Sequence, residues 1–185
     1  MKVPTSLLQH AKMNANNKKI WDQSYFEEYH GLEKVDTWKV ISESEYQALK
    51  HLVKRTLPTM AIAVIKKDGN RNPVQAKYRI VALGNLDPHS WSKQDCFALV
   101  LAQQELRLLL SIAVKYKCIP RSGDVSQAFC QSYLPPDKIY VCCPPTSCPL
   151  TGKDKYWKLK KTLYRLKRSP RHWYEMASNI LKKSS

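Results

Sequence analysis

A chain of 185 residues, 43% hydrophobic and 25% charged, has room for one domain with a real core and is too short for two generous ones. Its 31 Lys and Arg against 15 Asp and Glu leave a net charge of +16, which suggests a polyanionic partner, nucleic acid before an acidic membrane. A solvated basic surface without a partner is the plainer alternative. No apolar run approaches the ~20 residues that span a bilayer, and no charged-then-apolar secretory pattern opens the chain, so no membrane partner is expected. An intracellular location, cytoplasm or nucleus, follows as the expectation, with the six cysteines as reduced thiols. Cys142, Cys143 and Cys148 lack the second Cys or His cluster that would complete a four-ligand zinc site.

Residues 1–17 are polar and Asn-rich and read as a frayed or weakly helical lead-in. Trp21, Tyr25 and Tyr29 recur at i, i+4, which predicts a helix from Lys18 to Tyr29 with Gly31 as its stop. Thr37 to Ile41 reads as a short strand, and Ser42 with Glu45 has capping-box spacing for a helix to about His51. Pro58 opens a clearer unit: Met60 to Ile65 is extended in character, Lys67 to Asn70 a turn, and Ala76 to Leu83 a return strand. Side-chain alternation puts Lys77 and Arg79 on one face of that strand, about 7 Å apart. Such a pair suits a triphosphate or a nucleic-acid backbone, and equally an edge strand guarded by charge.

Asn85 to Asp95 is a polar loop. Gln103 to Lys117 carries Leu106, Leu109, Leu110, Ala113 and Val114 as an i, i+3, i+4 stripe, which predicts a core helix. Cys118 to Val125 reads as a strand interrupted by Pro120 and Gly123. Lys138 to Cys142 and Lys155 to Lys160 read as two more, and Pro170 as the start of a helix towards Lys183. The sum is an α/β (α+β) domain, a small sheet packed by helices, with residues 1–57 as a lead-in and 58–185 as the main body.

Charge is concentrated at the end of the chain. Residues 151–185 hold 11 basic and 2 acidic residues, a net +9, interleaved with Tyr156, Trp157, Tyr164, Trp173 and Tyr174. Bases stack on aromatic faces while Lys and Arg neutralise phosphates, although cores need aromatic rings as well. Asp124, beside Gly123, presents one carboxylate where a strand meets a turn. Two-metal nucleotidyl transfer needs several shared oxygen ligands around ions about 3.5–4 Å apart. The later acids Asp137, Asp154 and Glu175 are not adjacent to one another, so the sequence contains one arm of such a site.

Four ordered blocks give these residues a context. They are Ala76-Lys77-Tyr78-Arg79-Ile80-Val81, Asp95-Cys96-Phe97-Ala98-Leu99-Val100 with Leu106-Arg107, Gly123-Asp124-Val125 with Ala128-Phe129, and Leu163-Tyr164 through Leu166-Lys167-Arg168-Ser169-Pro170-Arg171 to Trp173-Tyr174. From about Pro58 to Tyr174 the chain resembles the Ty1/copia-type reverse transcriptase domain, an RNA-directed DNA polymerase of retrotransposon polyproteins. The resemblance implies the fingers and an incomplete palm of a right-hand polymerase.

It implies roles as well. Asp124 would be the first catalytic, metal-binding aspartate, and Val125 would offer its backbone carbonyl to the same Mg2+. Lys77 and Arg79 would grip the triphosphate of a deoxynucleotide, Phe129 would lie under its sugar, and Tyr164 with Ser169-Pro170 would line the nucleotide and template side. Lys160, Lys161, Lys167, Arg168 and Arg171 would contact an RNA template and DNA primer. The family's Tyr-x-Asp-Asp segment, source of the other catalytic aspartates, has no counterpart in these 185 residues. Arg165 stands where the family has Gly, and an obstructed nucleotide pocket is expected there. Leu99 stands where the family has Pro. The expectation is a chain that binds nucleic acid without polymerising, with a non-enzymatic basic binding remnant as the alternative.

Overall fold

The structure, a computed structural model, describes residues 3–183 apart from 6, 147 and 153. After α1 (Leu7–Ala11), α2 (Ala15–Lys34) starts at Asn14, whose side chain accepts a hydrogen bond from the Asn17 N–H at 3.0 Å. It runs five residues past Tyr29, because Gly31 stays helical. The stop is Asp36 in the left-handed region (φ 57°), with Thr37 N bonding Leu32 O at 3.1 Å and Asp36 N bonding Glu33 O at 2.8 Å. An aspartate therefore does the capping expected of the glycine.

β1 (Trp38–Ser42) leads into α3 (Glu43–Leu49) through the predicted capping box: the Glu45 N–H donates to Ser42 Oγ and the Ser42 N–H donates to the Glu45 carboxylate. The predicted hairpin is β2 (Leu57–Lys67) and β3 (Pro73–Ala82), with Ile62 opposite Arg79 and Val64 opposite Lys77. Next come α4 (Lys93–Cys96), α5 (Gln103–Lys115), β4 (Val141–Cys143), β5 (Lys155–Leu159) and α6 (Ser169–Lys183). The strands form one mixed sheet in the order β1-β5-β4-β2-β3, so β3 is an edge.

α2 and β1 share a core with the elements after Pro58. Trp21, Tyr25, Tyr29 and Leu32 of α2 pack with Trp38, Leu57, Tyr78, Ile80, Trp157 and Leu163. Trp38 and Trp157 stack at 4.2 Å with 5° between their planes, and Tyr29 meets both edge-on. Trp157 is thus a core residue, unavailable for stacking on bases. Tyr156 is engaged too, stacked on Tyr46 at 4.2 Å.

Two further expectations are corrected. α5 forms where predicted and closes with Lys117 in the left-handed region and Cys118 N bonded to Ala113 O at 2.8 Å, but none of its residues is buried. Leu106 is 46% exposed, Leu109 54% and Val114 80%. Amphipathic periodicity reports that a face needs an apolar partner, not that the described residues contain one. The second correction concerns 118–125, where no strand forms: Pro120 has no N–H to give a ladder, and Asp124 therefore sits on an exposed loop.

Candidate functional site

A cavity of about 540 Å³ opens beside the edge of the sheet, and four separate parts of the chain line it. β3 contributes Lys77 and Arg79 on one face, as alternation requires, while Ala76, Tyr78 and Ile80 turn into the core. The segment 124–129 contributes Asp124, Val125 and Phe129, the loop after β5 contributes Tyr164, and α2 contributes Ser24, Glu27, Glu28 and Gly31. Lys77, Arg79, Asp124, Val125, Phe129 and Tyr164 thus share one cavity. Ser169 and Pro170, expected beside Tyr164, do not line it: Ser169 is buried and donates its hydroxyl to Leu163 O at 2.7 Å.

The walls are tied together by backbone. Ala82 N bonds Tyr164 O at 2.9 Å, which joins the end of β3 to the loop after β5. The Thr162 hydroxyl donates to Phe129 O, and the Phe129 and Tyr164 rings meet edge-on with centres 6.4 Å apart. Behind them Cys130 is fully buried, which pushes its thiol up to about 12 and keeps it neutral and unreactive. Burial also raises the Tyr164 phenol, so this ring acts as a neutral surface at physiological pH.

Arg165 does not obstruct this cavity. It is exposed and absent from the lining, and the constraint at its position is backbone handedness: its φ is 67°. A left-handed residue costs little as glycine and more as arginine. The neighbouring glycine is indispensable, since a side-chain carbon at Gly84 would collide with the Arg165 carbonyl, whose carbon would stand 2.9 Å away.

The α2 wall was not expected from the sequence. Ser24, Glu28 and Gly31 follow one another at i, i+4, i+7 beside the aromatic stripe, a helical spacing that marks a second contact face. Glu28 is nearly buried and accepts a hydrogen bond from the Ile80 N–H at 3.2 Å. Burial raises its pKa, and that effect outweighs the bond from Ile80 and the nearby charges of Lys77 and Arg79. A carboxyl held above its unfolded pKa stabilises the fold in acid and loses that contribution as pH rises through the raised value. Glu28→Gln keeps an acceptor for Ile80 without a charge to bury. Its melting midpoint should match the wild type in acid and exceed it increasingly as pH rises and the buried carboxyl must ionise, as thermal melts across pH would show.

The donor set bears on metal. Asp124 is exposed in the cavity wall, and among the described residues no three His, Cys, Asp or Glu side chains gather as metal ligands. Of the acids in the lining, Glu28 accepts from Ile80 N and Glu27 from the Gln23 amide at 2.8 Å, and the single Asp124 carboxylate fits a magnesium that keeps its waters and takes phosphate oxygens from a substrate. It does not fit two ions about 3.5–4 Å apart, so no two-metal chemistry follows from these residues.

The basic candidates are unequally available. Lys160 is held by Asp36 at 2.7 and 2.9 Å, and Arg171 by Glu175 at 2.6 Å. Arg168 lies over the Trp91 ring, 5.0 Å from its centre, and Lys161 over Tyr133 at 4.9 Å. Lys167 is exposed on the turn before α6.

The profile of the family described as reverse transcriptase (RNA-dependent DNA polymerase) matches residues 36–185. Among similar proteins, the retrovirus-related Pol polyprotein from transposon RE1 of Arabidopsis thaliana is 33% identical over 114 residues, 62% of this chain and 8% of that protein. The Pol polyprotein from transposon TNT 1-94 of Nicotiana tabacum is 29% identical over 156 residues, 84% of this chain and 11% of that protein. The transposon Ty1-DR4 Gag-Pol polyprotein of Saccharomyces cerevisiae is 28% identical over 165 residues, 89% and 10% of the two chains. The chain spans about a tenth of the length of these relatives, and no solved structure matches it. With a cavity assembled from the blocks that carry the resemblance and a family match over most of its length, the chain belongs to the reverse transcriptase family, of the Ty1/copia type.

Proposed function

We propose that this chain is the nucleotide- and template-contacting part of a Ty1/copia reverse transcriptase, able to bind its ligands and unable to polymerise by itself. The observation that carries the reading is that Lys77, Arg79, Asp124, Val125, Phe129 and Tyr164 line one cavity although up to 87 positions separate them in sequence. In this reading Lys77 and Arg79 neutralise the triphosphate of a deoxynucleotide, and Phe129 lies under its sugar. Asp124 and the Val125 carbonyl hold a magnesium delivered with the triphosphate, where the ion offsets phosphate charge. Nucleotidyl transfer needs further carboxylates, which a Tyr-x-Asp-Asp supplies in the family and which this sequence does not contain. The apolar face of α5 is then a surface for further palm elements.

An RNA template and DNA primer would run along the loop from Lys160 to Arg171, with Lys161 and Lys167 as the least encumbered cations. Titration of a magnesium deoxynucleoside triphosphate into the chain tests the reading, with Asp124→Asn as the variant in which metal-dependent binding is expected to disappear. A basic module without a nucleotide site is the second reading, favoured by the net +9 of residues 151–185. It predicts affinity for RNA and none for the nucleotide.

A further inference from the structure

We propose that α2 is the brace that sets the width of the cavity, with Ser24 and Glu28 gripping the β3 wall and Gly31 receiving the loop that carries Asp124. The inference rests on the nucleotide reading only for the identity of the ligand. β3 is an edge strand, and alternate N–H groups on such an edge point away from the sheet with no ladder partner. Here α2 supplies the partners: Tyr78 N donates to Ser24 Oγ at 2.8 Å, and Ile80 N donates to the Glu28 carboxylate at 3.2 Å. The match is geometric. Four residues of helix rise about 6 Å, and two residues of strand advance about 6.7 Å, so an i, i+4 pair of acceptors meets an i, i+2 pair of donors.

One turn further along, the same face of α2 meets Gln127. The Gln127 amide, in the orientation that satisfies both partners, donates to Gly31 O at 2.8 Å and accepts from Leu32 N at 3.2 Å. Gln127 stands in the left-handed region (φ 52°), a conformation that side-chain-bearing residues seldom adopt. Its carbonyl accepts from Cys130 N at 2.7 Å, which starts the short 3-10 turn behind Phe129. Gly31 is the residue that admits this approach, because a Cβ there would run into the amide, with Gln127 Cδ 3.3 Å away. A single rigid helix thus holds the strand that carries Lys77 and Arg79 and the loop that carries Asp124. These residues position the lining and need not touch the ligand.

Gly31→Ala separates bracing from stability. Alanine is the better residue inside a helix, so the melting midpoint should hold or rise, while the added carbon displaces the Gln127 amide. Backbone amides of residues 126–131 should then exchange faster with deuterium, those of Tyr78 and Ile80 should stay protected, and the affinity for magnesium dATP should fall about tenfold. Gln127→Ala should give the same loss, and the double variant no more than either alone, since both remove one contact. Ser24→Ala should free the Tyr78 amide selectively. Unchanged exchange in 126–131 on Gly31→Ala, or additive losses in the double variant, would overturn the brace. A wild-type chain that binds no magnesium dATP would remove the nucleotide reading, and the exchange data would still decide the brace.

Discussion

Replacing Trp157 by alanine is expected to cost about 3–5 kcal/mol, a large part of the 5–15 kcal/mol that typically separates folded from unfolded chains. Trp157 has no exposed surface, stacks on Trp38, and donates its indole N–H to Thr151 Oγ1 at 3.2 Å. It also sits on β5, which lies between β1 and β4 and so connects the first part of the chain to the rest. Removing the ring leaves a cavity between flat partners that cannot close around it, the situation in which truncation costs most. Urea denaturation measures the loss, with Val114→Ala on α5 as the contrast. That residue lies on the stripe that reads as core but is 80% exposed, and its truncation should change stability by no more than about 0.5 kcal/mol. A loss below about 1 kcal/mol for Trp157→Ala would contradict the packing described.

The affinity of the chain for single-stranded RNA is expected to fall about 100-fold between 50 and 200 mM salt. Each phosphate neutralised on a single strand adds about 0.7 to the logarithmic salt slope, and about five contacts give that fall. Lys161→Ala and Lys167→Ala should each lower the slope by about 0.7, whereas Arg171→Ala should lower it less, because Glu175 already occupies that guanidinium. Point substitutions are the informative variants here. Deleting residues 151–185 would remove β5 and Trp157 with the charge, and lost binding would then report unfolding. A slope near zero would contradict a phosphate-directed surface.

Much of this was legible because local rules agree with the fold. Period-two alternation placed Lys77 and Arg79 together on β3, the spacing of Ser42 and Glu45 announced α3, and the aromatic i, i+4 repeat marked α2. Where prediction failed, tertiary context decided. Gly31 looked like a helix stop, yet it is kept free of a side chain so that Gln127 can dock, and Asp36 ends the helix instead. The α5 stripe has the periodicity of a core helix without a described core to face. Trp157 lies in the basic segment by sequence and in the aromatic core by structure, since charge runs say where phosphates could bind and nothing about which rings are free. The spacing of Ser24, Glu28 and Gly31 puts them on one face of α2, but their partners lie more than fifty residues away, and no local pattern names those.

The most direct test of the cavity as a nucleotide site is calorimetric titration of dATP into the wild-type chain, Asp124→Asn and Asp137→Asn, each with and without magnesium. Asp137 is exposed, pairs with Lys138 at 3.0 Å and is not among the residues lining the cavity, so its variant controls for lost negative charge. Magnesium-dependent binding is expected of the wild type and Asp137→Asn, and its loss in Asp124→Asn. Equal behaviour of the two variants, or no binding by any of the three, would contradict this expectation.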